Sequence, residues 1–186
     1  MFSRRDIVLG TAALLATPSV ARAADQETYE LPKQFRTYIV RAKPEFRPGE
    51  IIILTRQHFL YFILPDEKAI RYGVAVGSEG RNLSGSAVVR RKAEWPSWTP
   101  TANMIRREPQ VYRKFAGGMP GGPENPLGAR ALYLYRGGRD TRYRIHGTPQ
   151  PWTIGRSVSS GCIRLHNDAI IDLYNRAPVG TRVTVY

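Results

Sequence analysis

Short apolar runs separated by turn residues limit what this chain can fold into. Residues 51–54 form a β-branched run, and residues 58–64 form a second apolar run three residues later. The turn-forming sequence Pro-Asp-Glu-Lys at residues 65–68 then separates the second run from a third, at residues 69–76. Runs of this length between turn signals are typical of strands. The sequence therefore predicts successive antiparallel strands in this region.

The remainder of the chain also favours strands, with one or two helices. Prolines make residues 95–100 irregular, because proline lacks a backbone donor. Residues 101–107 are compatible with a short helix stopped by Pro109, and residues 167–176 are the clearest helix, capped by Asn167 or Asp168. Further strands are predicted at residues 88–92, 131–135, 143–146 and 181–186.

A long glycine- and proline-rich segment at residues 117–128 interrupts this pattern. Long loops in compact domains are often functional. Composition alone supports a mobile connector equally well, so both interpretations stay open.

The N-terminus has the order of features expected of an export signal. Arg4 and Arg5 precede a short apolar run at residues 7–16, and a small-residue cleavage site follows at residues 21–23. The paired arginines resemble a twin-arginine signal, although general secretion stays possible. We therefore expect a signal peptide at residues 1–23 and a mature chain in the periplasm or cell envelope.

The net charge of +13 attracts polyanions but does not identify the partner. Loss of the signal peptide would remove three arginines and one aspartate, which lowers the net charge to +11. Nucleic acid, anionic lipid and acidic wall polymer all fit such a charge, and export argues against nucleic acid. No later apolar run reaches the roughly 18 residues of a membrane helix, so we expect no transmembrane segment in the mature chain.

Cys162 is the single cysteine of the chain, so it has no intramolecular disulfide partner. A lone thiol is a liability in an oxidising compartment, which makes a purely structural role less attractive. A nucleophilic cysteine needs a base or a positive environment. Three histidines are candidates: His58 is predicted to lie mid-strand, His166 follows the cysteine by four residues, and His146 is predicted at a strand end. Spacing favours His146 only modestly.

The residues around Cys162 also suit acyl transfer. Gly161 allows close approach of the backbone, and the amides of Gly161 and Cys162 could point at a developing oxyanion. Arg164 would share a face with the cysteine if this stretch is extended. Its guanidinium could bind a substrate carboxylate or favour the thiolate, while a surface salt bridge is an equally good interpretation.

An ordered set of motifs extends over about residues 50–186. The motifs are Trp-Thr-Pro-Thr at 98–101, Asn-Pro-Leu-Gly-Ala-Arg at 125–130, Ile-His-Gly-Thr at 145–148, Ile-Gly-Arg at 154–156, Ser-Ser-Gly-Cys-Ile-Arg-Leu at 159–165 and Val-Gly-Thr-Arg-Val at 179–183. Together they resemble the L,D-transpeptidase catalytic domain (the YkuD-like family).

The resemblance implies a mostly β fold, a sandwich with one or two short helices. Residues 24–49 would then be an N-terminal arm and residues 50–186 the catalytic domain. It also implies the reaction: the cysteine attacks the bond between diaminopimelate at position three and D-alanine at position four of a peptidoglycan stem peptide. A thioester forms and passes to an amine, on another stem peptide or on an envelope protein. Neither a cofactor nor a metal is implied.

The resemblance assigns roles to individual residues. Cys162 is the nucleophile, His146 is the base, and the Gly147 carbonyl orients that histidine. Ser160, Gly161 and Arg164 line the site. Many members carry histidine where this chain has Ser160, which argues that this position is not the base and strengthens His146. His166 lies outside the core motif and is interpreted as structural or as part of the rim of the site.

Other functions use the same residues or none of them. Water in place of the amine would give an L,D-carboxypeptidase. A non-catalytic wall-binding module would use the charge alone and would have no need of His146 and Cys162. A papain-like protease fits poorly, because its cysteine precedes its histidine.

Overall fold

The computed structural model describes residues 29–186. In this part of the chain there are eleven strands and three α-helices. The strands are β1 (Tyr38–Arg41), β2 (Ile51–Leu54), β3 (Phe59–Leu64), β4 (Lys68–Gly73), β5 (Val76–Gly77), β6 (Gly85–Glu94), β7 (Arg130–Arg136), β8 (Arg139–His146), β9 (Ser157–Ser159), β10 (Ile163–Arg164) and β11 (Arg182–Val185). The helices are α1 (Ala102–Arg107), α2 (Pro109–Tyr112) and α3 (Asn167–Arg176). The expected signal peptide lies outside the described residues.

Nine of these strands form one sheet in the order β1-β4-β3-β2-β11-β6-β7-β8-β10, and β5 pairs with β9 separately. Strands β2, β3 and β4 are antiparallel, as the turn signals predict. The last strand, β11, runs parallel to β2 and antiparallel to β6. It therefore joins the first meander to the β6-β7-β8 meander, which carries the C-terminal motifs.

Both halves of the large sheet contribute to one apolar core. Ile53 of β2, Leu132 of β7 and Ile145 of β8 are fully buried in the same cluster. Helix α3 adds Leu173, also fully buried. Burial stabilises each such side chain by about 1.5–3 kcal/mol. The mostly β fold with a few short helices is therefore confirmed.

The N-terminal arm contains structure that the sequence pattern did not predict. Strand β1 pairs antiparallel with β4 at the edge of the sheet. Three of its four residues are exposed, so no apolar alternation marks it as a strand. The prediction of one or two helices is also too low, because Pro109 begins α2 in addition to following α1. Proline is well tolerated at the first position of a helix, where its missing N–H has no partner to lose.

Two predictions are wrong: the position of His58 and the N-cap of α3. His58 does not lie mid-strand: it adopts a left-handed conformation at φ 59° directly before β3. The N-cap of α3 is His166, whose Nδ1 accepts a hydrogen bond from the Asp168 amide at 3.3 Å, and neither Asn167 nor Asp168 is the cap. His166 is therefore structural, as interpreted. Of the described helices, none is long and apolar enough to cross a membrane.

Candidate active site

Two neighbouring parallel strands carry the predicted catalytic residues. Strand β10 pairs with the end of β8, with Ile163 opposite Ile145 and Arg164 opposite His146. Both isoleucines are buried in the core. Because side chains alternate along a strand, His146 and Arg164 point to the other face, and Cys162 immediately precedes β10. The sheet thus brings together residues that are far apart in the sequence.

His146 is held as a neutral imidazole. Its Nδ1 lies 2.6 Å from the carbonyl oxygen of Gly147. A carbonyl can only accept, so Nδ1 carries the proton and Nε2 keeps its lone pair. Burial and then the charge of Arg164 lower the pKa of His146 to about 3, against the opposing effect of the Gly147 bond. A backbone hydrogen bond to Leu127 also opposes the lowering of this pKa. The predicted orienting contact is therefore present, and Nε2 keeps the lone pair that can accept a proton.

Cys162 rests as a thiol. Burial raises the pKa of this thiol, whereas the backbone N–H of Arg144 and the charges of Arg144 and Arg164 act to lower it. Its Sγ lies 3.9 Å from the carbonyl oxygen of Arg142. Within residues 29–186 no hydrogen bond joins this thiol to His146. Catalytic hydrogen bonds often tighten only when substrate is bound.

The hydroxyl of Ser159 fixes the cysteine loop. It donates to the carbonyl oxygen of Cys162 at 2.6 Å and accepts from the Gly161 amide at 3.0 Å. Ser159 is buried, so both bonds are sheltered from water. The sequence motif contains this serine, but residue type and spacing gave no reason to assign it this role.

Gly161 has a different role from the expected one. Its amide is already bonded to Ser159, so it is not a free oxyanion donor. Its φ is +129°, and a Cβ there would lie 2.6 Å from both the Arg81 carbonyl oxygen and the Tyr143 ring. Glycine is therefore needed for close packing inside the loop. The Cys162 amide forms no hydrogen bond within residues 29–186, so it can still act as an oxyanion donor.

A cavity of about 450 Å³ opens beside Cys162. Ser160 is exposed at its edge, as expected of a lining residue. Arg164 is half-buried beneath, with its backbone bonded in both directions to Ala75, and it does not line the cavity. The predicted carboxylate clamp at Arg164 thus lies outside this cavity. The charged residues that do line it are Arg81, Arg107, Arg142 and Arg144.

The glycine- and proline-rich segment at residues 117–128 is an ordered wall of the site. Asn125 is fully buried. Its side-chain amide donates to the carbonyls of Met119 and Pro120, and its oxygen accepts from the Leu127 amide. Leu127 in turn lines the cavity. Of the two interpretations left open, the mobile connector is therefore the poorer one.

Residues 29–186 contain no group of three histidine, cysteine or carboxylate side chains that could hold a metal ion. One histidine that can act as an acid–base group, and a thiol, are what the site offers chemically.

Comparison with known proteins identifies the family. Residues 48–185 match the model of the YkuD family, the L,D-transpeptidase catalytic domain. The chain belongs to this family. The Escherichia coli (strain K12) protein named Probable L,D-transpeptidase ErfK/SrfK is 38% identical over 138 residues, which cover 73% of this chain and 43% of that protein. The chain thus spans less than half the length of this curated relative. YkuD of Bacillus subtilis (strain 168), also named as an L,D-transpeptidase, is 33% identical over 79% of this chain and 84% of that protein.

Solved structures agree on the fold. A chain from Brucella melitensis, named as a probable carnitine operon oxidoreductase, is 49% identical, with a TM-score of 0.57 over 83% of this chain and 95% of that one. The L,D-transpeptidase from Xylanimonas cellulosilytica is 22% identical, with a TM-score of 0.51 over 79% of this chain and 65% of that one. The second likeness is evidence of fold alone.

Sequence reasoning missed the arginines of β8. Arg142 and Arg144 precede His146 at spacings of four and two residues. In a strand, that period of two places side chains on one face. For Arg144 the alternation was a usable signal, because it places this side chain on the face of His146, and Arg144 lies beside the thiol. Arg142 lies where the register of β8 shifts, so alternation does not place it.

Proposed function

We propose that this protein is a peptidoglycan L,D-transpeptidase that works through a Cys162 thioester. Family membership supports the reaction class, and one observation carries the assignment of the base. The Gly147 carbonyl fixes the proton of His146 on Nδ1, which leaves Nε2 as a proton acceptor on the strand next to the cysteine.

The acylation step follows from these groups. Cys162 Sγ bonds to the carbonyl carbon between diaminopimelate at position three and D-alanine at position four, and its proton passes to His146 Nε2. The Cys162 amide donates to the oxyanion. The C–N bond then breaks, His146 returns the proton to the leaving D-alanine amine, and the thioester is left. The neutral resting state suits this order, because the proton moves only as the sulfur attacks.

An amine completes the cycle. Its nitrogen bonds to the thioester carbonyl carbon and loses a proton to His146. The C–S bond then breaks, the new amide is released, and the proton passes from His146 to sulfur, which restores the thiol of Cys162. The acceptor is an amine of a second stem peptide, giving a 3→3 crosslink, or of an envelope protein. The export-like residues 1–23 support a location in the cell envelope.

The test uses purified protein, tetrapeptide stems and mass spectrometry. We expect release of D-alanine and a crosslinked dimer, with no turnover by Cys162→Ala or His146→Ala. Tripeptide without dimer would assign hydrolysis in place of transfer. The proposal fails if the wild-type protein releases no D-alanine, or if Cys162→Ala releases it at the same rate.

A further inference from the structure

The cavity beside Cys162 is strongly and uniformly positive. Four arginines line it: Arg81 after β5, Arg107 at the end of α1, and Arg142 and Arg144 on β8. Among the described residues that line it there is no aspartate or glutamate. Positive side chains around a concave surface concentrate the field there and attract anions.

Within residues 29–186, three of these arginines form no salt bridge. Arg144 is paired in a bidentate manner with Asp140, at 2.7 and 2.8 Å. By contrast, Arg81, Arg107 and Arg142 form no ion pair with any carboxylate of residues 29–186. Guanidinium groups hydrogen-bond carboxylates in a planar fork, so a carboxylate-bearing ligand is the matching occupant.

The backbone directs Arg142 to the cavity through an irregularity in β8. Arg144 pairs with Tyr133 and Asp140 with Tyr135, so β8 contains two more residues than β7 between these pairs. Such bulges re-aim side chains and are common beside active sites. Arg142 lies within the bulge at φ 66°, an unusual value for a residue other than glycine.

Asp140 holds this strained conformation in place. Its Oδ1 accepts from the Arg142 amide at 2.8 Å while both of its oxygens bind the Arg144 guanidinium. Arg144 is also stacked over the Tyr133 ring at 4.3 Å. One carboxylate thus orients two arginines: it binds the guanidinium of Arg144 but only the backbone amide of Arg142. Arg144 is fixed by the protein, and Arg142 is left for a ligand.

We propose that Arg81, Arg107 and Arg142 form a carboxylate-binding subsite for the donor peptide. The subsite selects donors whose non-reacting carboxyl groups are free over donors in which these groups are amidated. This inference rests on the proposed function, because it concerns the donor of the same reaction. Amidation keeps the shape of the donor but removes the negative charge and one acceptor oxygen. The subsite therefore discriminates by charge, which a neutral apolar cavity cannot do.

The experiment compares two tetrapeptide stems with the same acceptor. One stem has all its carboxyl groups free, and the other has those outside the terminal D-alanine amidated. We expect the free stem to have a higher kcat/KM by roughly tenfold, from charge-assisted hydrogen bonds in a partly solvated site. This ratio should fall as salt is raised from 0.05 to about 0.5 M, because salt screens exposed charges.

The variants Arg81→Gln, Arg107→Gln and Arg142→Gln should each lower the free-to-amidated ratio by about twofold. Arg182→Gln is the matched control, since Arg182 is exposed on β11 and lies outside the cavity. Its ratio should equal that of the wild type. The wild-type salt series needs no variant, so it remains decisive if a substitution impairs folding.

The outcomes separate the two proposals. Turnover of both stems at equal kcat/KM, independent of salt, overturns the subsite and leaves the transpeptidase assignment standing. A preference for the amidated stem overturns it as well. Turnover of neither stem overturns the proposed function, and the subsite with it.

Discussion

Replacement of Gly161 by alanine tests whether packing in the cysteine loop holds Cys162 in place. The new Cβ would meet a backbone oxygen of Arg81 and the Tyr143 ring, each at 2.6 Å, where real contacts are longer. The backbone at φ +129° adds strain of about 1–3 kcal/mol, and overpacking adds about 1–3 kcal/mol. We expect a loss of about 2–6 kcal/mol in unfolding free energy. A displaced sulfur should also lower kcat/KM by about 100-fold.

Gly180 provides the matched control for this experiment. Its φ is +101°, but no atom lies within 4 Å of the Cβ that alanine would add. Gly180→Ala therefore carries the backbone strain without the collision. Urea denaturation measures stability, and D-alanine release measures activity. Equal losses of stability in the two variants, with Gly161→Ala retaining wild-type kcat/KM, would refute the packing argument.

Three further predictions use the same assays. Folded His146 takes up its proton at a lower pH than an unfolded histidine does, so the unfolding free energy falls as the pH drops from 6.5 toward 3. Between pH 7 and pH 4, urea denaturation should show a loss of unfolding free energy about 3 kcal/mol larger in the wild type than in His146→Gln. Equal losses in the two proteins would contradict this. Ser159→Ala leaves a buried amide and a carbonyl without their partner and should cost about 1–3 kcal/mol, whereas Ser86→Ala, at an exposed position of β6, should cost under about 0.5 kcal/mol; similar costs would count against the loop role. Asp140→Asn should break the bidentate pair with Arg144 and lower kcat/KM by about tenfold, and unchanged kinetics would exclude a positioning role for that carboxylate.

The strands were predictable where local signals define them. The runs of β2 and β3 are apolar, and a turn sequence precedes β4, so each element is marked by its own residues. Strand β1 was not predictable in this way. It is mostly exposed, and its pairing with β4 supplies its hydrogen bonds. A strand that forms because it pairs with a neighbouring strand shows little apolar pattern in its own sequence.

The N-cap of α3 shows a similar limit to prediction from sequence. Asn167 is a good capping residue by type, but its side-chain oxygen accepts from the Ala129 amide. The same oxygen lies close enough to Gly147 that a Cβ there would collide with it. Because the Asn167 side chain is engaged in this tertiary hydrogen bond, His166 caps the helix instead.

The sequence by itself determined the family, because the ordered motifs around Cys162 and His146 are properties of the chain alone. It also led us to propose Cys162 as the nucleophile and His146 as the base. Only the tertiary structure decided how these residues are held. Ser159 and Gly161 fix the cysteine loop through contacts that residue types do not specify. Arg81, Arg107 and the β8 arginines meet at one cavity because separate elements are brought together by the sheet. Pairing between distant segments sets such positions, and no local pattern encodes it.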